Sequence, residues 1–147
     1  MERTLFFVKP DGMARELAGE CYSRIERKGL RPVACKLTVV SLRHAMKHYA
    51  EHKGKPFFDG LVTHVTSGPV MAFVFEGPDA ISTIRALLGS AHNPHVGTIR
   101  GDFAKSVALN VAHASDSLEA AAREIPLFFK KGEIIEWERD GDQKVFE

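Results

Sequence analysis

Leu5-Phe6-Phe7-Val8-Lys9-Pro10-Asp11-Gly12 sets four apolar residues in a row against a lysine and a Pro-Asp-Gly turn. The run has the length of a strand, and proline and glycine punctuate its end, so the segment predicts a strand over 5–8 with Lys9 at its exit. Leu17, Cys21 and Ile25 then recur at fourfold spacing before Gly29, the pattern of a helix with a glycine stop. Strand, turn and helix therefore open the chain.

Val33, Cys35, Leu37 and Val39 alternate with Ala34, Lys36, Thr38 and Val40, which predicts a second strand with one face more buried than the other. Ser41 caps a helix expected over Leu42 to Glu51, and a shorter helix near Gly60 to Ser67 ends at Gly68-Pro69. Val70 to Phe75 is apolar throughout, as a central strand is. Gly77-Pro78-Asp79 breaks it, Asp79 caps a helix carrying Ile81, Ile84, Leu87 and Leu88, and Gly89 closes that helix. Residues 90–106 contain Pro94, Gly97 and Gly101 without a sustained period and read as one long loop. A short strand near Val107 to Ala112 follows. The last helix carries Leu118, Ala121, Ala122 and Ile125, with Asp116 as N-cap and Glu119 three residues on, and the tail runs from Pro126 to Glu147.

This order suits an α+β protein, a split βαβ sandwich with helices on one face of a four-stranded sheet. A flavodoxin-like parallel sheet is the alternative, because strand direction leaves no direct mark on one sequence. The 147 residues suffice for one domain with a real core, with no internal repeat or linker. A formal net charge of +1 excludes the broad basic footprint of a protein that coats nucleic acid or an anionic membrane. The apolar run Leu5 to Val8 is too short for a secretory core or a bilayer span, so a cytoplasmic protein is expected. Cys21 and Cys35 form no CxxC pair and read as reduced, buried small hydrophobes.

Chemistry concentrates in Asn110-Val111-Ala112-His113-Ala114-Ser115-Asp116-Ser117, where an imidazole stands between an amide and a hydroxyl-carboxylate cluster at a helix start. Neutral imidazole can act as base, ligand or nucleophile near neutral pH. Cations at Lys9, Arg85 and Arg100 and the aromatic pair Phe57-Phe58 add to it the features of a site for a phosphorylated, ring-bearing substrate. His44, His48 and His52 recur every four residues along one helix face. Such a straight stripe, with about 5.4 Å between turns, does not easily converge on one ion.

With Val8-Lys9-Pro10-Asp11-Gly12, His48-Tyr49-Ala50-Glu51-His52, Lys55-Pro56-Phe57-Phe58, Thr66-Ser67-Gly68-Pro69-Val70, Gly97-Thr98-Ile99-Arg100-Gly101-Asp102 and the histidine stretch in this order, the chain resembles the nucleoside diphosphate kinases from Glu2 to Phe129, and more loosely through the tail. The resemblance implies a ferredoxin-like four-stranded antiparallel sheet with helices packed on it, in a single domain over 1–147. It also implies ping-pong transfer of the terminal phosphoryl group of a nucleoside triphosphate, typically ATP, to a nucleoside diphosphate, with little base selectivity, maintaining the triphosphate and deoxytriphosphate pools.

On that resemblance His113 carries the phosphoryl group, Glu124 orients its ring through the second nitrogen, and Ser115 supports that carboxylate. Arg85 and Arg100 clamp phosphates, Lys9 places a compact charge nearer the transferred group, and Tyr49 adds a hydroxyl there. Asn110 and Lys9 meet the ribose, while Phe57, Leu61 and Val107 hold the base by its faces. Mg²⁺ is expected to be bridged by the substrate phosphates, without a direct protein ligand. The family's assemblies imply a homo-oligomer, with the Trp137-containing tail favouring a hexamer over a tetramer. The chain departs from the family pattern at Ala114, often glycine, and in a loop between Gly89 and Gly97 about two residues shorter than in many relatives. Within that loop Ala91 falls near a position that is commonly a phosphate-contacting threonine. A non-catalytic nucleotide-sensing or nucleic-acid-binding domain on the same kind of sheet is the competing class, and no aromatic RNA-reading signature supports it.

Overall fold

The computed structural model describes residues 1–145, so Phe146 and Glu147 of the expected tail lie outside the described residues. Four strands, β1 (Glu2–Val8), β2 (Arg31–Thr38), β3 (Val70–Gly77) and β4 (Ala112–Ala114), form one sheet in the order β2-β3-β1-β4. Every neighbouring pair is antiparallel, which excludes the parallel alternative. The helices are α1 (Pro10–Ala14), α2 (Ala18–Arg27), α3 (Leu42–His48), α4 (Phe58–Val65), α5 (Ala80–Leu88), α6 (Ile99–Phe103), α7 (Leu118–Phe128) and α8 (Asp142–Val145).

Both faces of the sheet are covered, not one as the element order suggested. Leu5, Phe7, Val70, Ala72 and Val74 pack with residues of α3, α4 and α7. Phe6, Val8, Phe73 and Phe75 pack with residues of α2 and α5. Alternate residues of β1 thus enter opposite cores, and this explains why Leu5 to Val8 is apolar without interruption.

The outer strand departs from its expected alternation. Pro32 pairs with Phe75 and Ala34 with Val74, so Val33 is the extra residue of a β-bulge. The bulge puts Val33 into the core beside Ala34 and leaves Cys35, Leu37 and Val39 exposed. Cys35 is therefore not the buried thiol expected, whereas Cys21 is buried, and burial pushes its thiol up to about 12. Ile135 donates its backbone N–H to Val33 O at 2.8 Å and the Trp137 indole donates to Pro32 O at 2.8 Å, so the tail runs along this edge.

Several boundaries move for local reasons. The Pro10-Asp11-Gly12 turn is a short helix with proline in its first turn, where its missing N–H costs nothing. Inside the expected loop lies α6, started by Thr98, whose hydroxyl accepts from Gly101 N at 2.9 Å. A Cβ at Gly101 would lie 1.7 Å from His95 O, so this approach requires glycine. Asp79 adopts φ 50° and makes no side-chain cap, while Glu2 Oε1 accepts the Ile81 N–H at 3.1 Å instead.

The last strand is Ala112–Ala114 rather than Val107 to Ala112, so His113 is a strand residue and not a turn residue. Ser117, not Asp116, caps α7, accepting from Ala120 N at 3.0 Å. The buried face of α7 carries Ala120, Ala121, Glu124 and Phe128, with Leu118 exposed and Pro126 within the helix.

Ile84, 1 % exposed, and Leu118, 58 % exposed, contrast a buried with an exposed helix position. Ile84→Ala is expected to cost about 2–5 kcal/mol, and Leu118→Ala less than about 0.5 kcal/mol, in urea denaturation monitored by far-UV circular dichroism.

Candidate active site

The site is built where β1 ends beside β4. Phe7 pairs with His113 across the two strands, so both side chains point to the same face. Their rings stack with centroids 4.9 Å apart. On the next element α7 brings Glu124 beneath the imidazole, and its Oε1 accepts from His113 Nε2 at 2.7 Å and from the Ser115 hydroxyl at 2.9 Å. Ser115 and Glu124 are buried and His113 is partly exposed. A carboxylate at Nε2 places the ring proton there and leaves Nδ1 with a free lone pair.

Two guanidinium groups bracket this histidine through its neighbours. Arg85 donates to Ala114 O at 3.2 Å, and Arg100 donates to Ala112 O at 2.8 Å. Arg100 also donates to Asn110 O at 3.2 Å and Gly89 O at 3.1 Å. Burial, followed by the nearby Arg85 charge, lowers Arg100 to about 10. Like charges held this close gain from an anion placed between them, as a site that takes an anion provides.

Lys9 supplies the third cation. Its ammonium donates to Asn110 Oδ1 at 2.5 Å and to Ala108 O at 3.5 Å, and Asn110 Nδ2 in turn donates to Val107 O at 2.9 Å. Lys9 is buried, and that desolvation is the main cause that lowers it to about 8, against an opposing pull from Asp11. An ammonium this short of solvation gains more than usual from an arriving anion.

Phe57, 51 % exposed, stands before α4 with the Lys55 ammonium 5.8 Å from its ring centroid. Edge contacts run from Phe57 to His52 at 5.3 Å and from His48 to His113 at 4.6 Å, and tilted Tyr49 lies between them. Burial and the Glu124 carboxylate push the Tyr49 phenol up, so it stays a neutral hydroxyl. Val107 is exposed in the segment after α6, and Leu61 lies on α4 against the core. Direct bonds join His113, Glu124 and Ser115 in one cluster and Lys9, Asn110 and Arg100 in another, while Arg85 and Arg100 flank the first through the carbonyls of Ala114 and Ala112. Phe57 and Tyr49 reach them through rings, and Leu61 makes no direct contact with this set. In the shortened loop Ser90 Oγ accepts from His92 N at 3.2 Å and so serves the loop's own turn.

Asp11 has a task that its place in a turn motif does not reveal. Val111 adopts φ 78°, a strained conformation for a β-branched residue. Asp11 Oδ2 accepts its N–H at 3.0 Å, and Lys9 N donates to its carbonyl at 2.9 Å. The other carboxylate oxygen of Asp11 bonds His64 Nε2 at 2.9 Å. The sequence signal was the Lys-Pro-Asp-Gly order itself, since only glycine at position 12 leaves room: a Cβ there would sit 2.6 Å from Val111 O.

An imidazole bonded through Nε2 to a buried carboxylate, with Lys9, Arg85 and Arg100 on neighbouring backbone and amide groups, has the chemistry to serve group transfer with an anionic substrate. The sequence profile described as nucleoside diphosphate kinase matches residues 2–134, and the chain belongs to that family. It is 50 % identical over 149 residues to the nucleoside diphosphate kinase of Archaeoglobus fulgidus, covering 100 % of this chain and 99 % of that one. Against the enzyme of Thermus thermophilus the identity is 51 % over 137 residues, covering 92 % of this chain and all of the relative. A halophilic nucleoside diphosphate kinase from Halobacterium salinarum, solved in complex with CDP, superposes with a TM-score of 0.96 at 47 % identity, over 99 % of both chains. The four-stranded antiparallel sheet is thus the ferredoxin-like fold of that family.

Gly12→Ala is expected to destabilise the protein by roughly 1–3 kcal/mol by forcing Val111 and Val8 aside. Gly19→Ala, on α2 with nothing within 4 Å of the new methyl, is expected to stabilise it by about 0.5 kcal/mol in the same denaturation measurement.

Proposed function

We propose that this protein is a nucleoside diphosphate kinase in which Nδ1 of His113 carries the phosphoryl group between nucleotides. The observation that carries the reading is the 2.7 Å bond from His113 Nε2 to the buried Glu124, which leaves Nδ1 as the reactive atom between Arg85 and Arg100. The Nδ1 lone pair attacks the terminal phosphorus, the P–N bond forms, and the bond to the bridging oxygen breaks to release the diphosphate. Glu124 keeps the Nε2 proton and balances the positive charge that the ring gains. A second diphosphate then takes the phosphoryl group by the reverse step, so two polyanions never share the cleft.

The transition state carries its charge on peripheral oxygens, which suits fixed cations better than acid–base groups. Arg85, Arg100 and Lys9 supply these, with Arg100 held by three carbonyls and offering its remaining N–H groups. Tyr49 contributes a neutral hydroxyl. Asn110 and Lys9 meet the ribose, and the exposed faces of Phe57 and Val107, with Leu61, take the base without reading its edges, so little base selectivity follows.

The donor set fits Mg²⁺ that arrives with the nucleotide. Asp11 is engaged by Val111 and His64, and Glu124 by His113 and Ser115, so an ion that demands oxygen ligands takes them from phosphates and water. Bound there, Mg²⁺ would supply charge neutralisation to the transferred phosphoryl group. Among the described residues no helix is long and apolar enough to cross a membrane, and we place the activity in the cytoplasm, where it maintains nucleotide pools. Exposed Leu37 on β2 and Val39 just after it favour association with further copies of this chain, the Trp137-containing tail favours a hexamer over a tetramer, and sedimentation equilibrium measures the stoichiometry.

With γ-labelled ATP and Mg²⁺ the protein is expected to take up an acid-labile, base-stable label that moves to added GDP. His113→Ala takes up none, and Glu124→Gln slows uptake by about tenfold or more, the worth of one hydrogen bond to a charged group. Undiminished transfer by His113→Ala overturns the reading.

Lys9 gives the pH dependence. Its charged form holds phosphate, and that form is lost as pH rises through about 8 in the free protein. kcat/KM is therefore expected to fall above pH 8, and Lys9→Arg, charged at any accessible pH, to lose that alkaline limb.

A further inference from the structure

His48 takes no part in the transfer, yet it lies against the reacting group. It closes α3, is 4 % exposed, and its ring meets His113 edge-on at 4.6 Å, with Phe7 at 5.4 Å and Phe128 at 5.8 Å. Its Nδ1 is buried with no hydrogen-bond partner among the described residues, an expensive state for a polar atom. One ligand atom each from His48, His113 and Glu124 all lie within 4.8 Å of one another.

We propose that His48, His113 and Glu124 form a site for a transition-metal dication of the Zn²⁺ type, and that its occupancy reversibly blocks phosphoryl transfer. The inference rests on the assignment of His113 as the phosphoryl carrier. Two imidazoles and one carboxylate suit zinc and not magnesium, which prefers an all-oxygen shell. Tetrahedral zinc with bonds near 2.0–2.1 Å sets its ligands roughly 3.3 Å apart. The His113 Nε2 to Glu124 bond of 2.7 Å widens to that spacing when the ion replaces the shared proton, and the other separations close.

The block follows from tautomerism. A neutral ring that gives its Nε2 lone pair to zinc carries its hydrogen on Nδ1, so the electron pair needed at phosphorus is gone. No proton leaves the ring on balance, and water fills the fourth metal position. Arg123 opposes the ion: its Nη2 lies 3.7 Å from Glu124 Oε2 and equally 3.7 Å from Glu51 Oε1. It is partly exposed and can retreat to Glu51.

The full chain, stripped by chelator, is titrated with Co²⁺ without nucleotide, and Zn²⁺ affinity is read by its displacement of Co²⁺. An intense tetrahedral absorption band is expected, lost on adding Zn²⁺. In parallel, Zn²⁺ halts label uptake from Mg²⁺–ATP and chelator restores it. His48→Phe keeps an aromatic ring in the core, and is expected to weaken zinc binding by about 100-fold or more, since even an outer-shell change costs 10–100-fold. Arg123→Gln, which removes the competing cation, tightens binding up to about fivefold. A weak octahedral cobalt spectrum, or unchanged zinc affinity in His48→Phe, overturns the site. Should His48→Phe fail to fold, zinc binding no tighter in Arg123→Gln overturns it. A tetrahedral band in a protein that takes up no label even without zinc leaves the metal site standing and sinks the histidine relay instead.

Discussion

One strained residue ties the two halves of the site together. Val111 is held at φ 78° because the turn after β1 grips it at both ends, Asp11 taking its N–H and Lys9 N giving to its carbonyl. Strain of this kind costs about 1–3 kcal/mol and persists only where the surroundings over-determine it. Here the grip does more than hold a turn. It ends the pairing of β1 with β4 in the register that sets Phe7 against His113, and it turns Asn110 toward Lys9 on one side and Arg100 on the other.

The electrostatics follow from that placement. Buried cations are ordinarily paired with carboxylates, yet Lys9 and Arg100 direct their donors to an amide and to backbone carbonyls. Neutral partners satisfy hydrogen bonds without cancelling charge. The field of the cleft therefore stays positive while the nearest carboxylates, Asp11 and Glu124, are occupied in positioning work. A cleft arranged this way attracts a phosphate without having to break a salt bridge first.

The strands of the inner sheet could be read directly from the chain, because a strand buried on both faces requires an uninterrupted apolar run, and Leu5 to Val8 and Val70 to Phe75 are such runs. The antiparallel order could not, since hydrogen-bond direction leaves no trace in side-chain type. The residues of the site stood out as a motif order, and their contacts did not: that Glu124 meets Nε2 rather than Nδ1 depends on which face α7 buries. The start of α7 was displaced by one residue as well, because Ser117 caps it in place of its neighbour Asp116. The bulge at Val33 was hidden for a related reason. Alternation along β2 is intact in sequence, and a single extra residue moves Val33 to the opposite core while Cys35, Leu37 and Val39 face outward.

The sheet is thus asymmetric from one edge to the other, and the asymmetry divides its work. At the β4 edge, helices on both faces and the clamped turn exclude water from Ser115 and Glu124, so a 2.7 Å bond to an imidazole is worth more there than it would be at the surface. At the β2 edge Cys35, Leu37 and Val39 stay exposed, and the tail lies alongside through Val33 and Pro32. An edge strand that is bulged and partly covered resists indiscriminate pairing, but its apolar outer face still gains by being buried against a matching surface. Rigid chemistry at one edge and an adhesive surface at the other both trace back to where bulge and clamp interrupt otherwise regular strands.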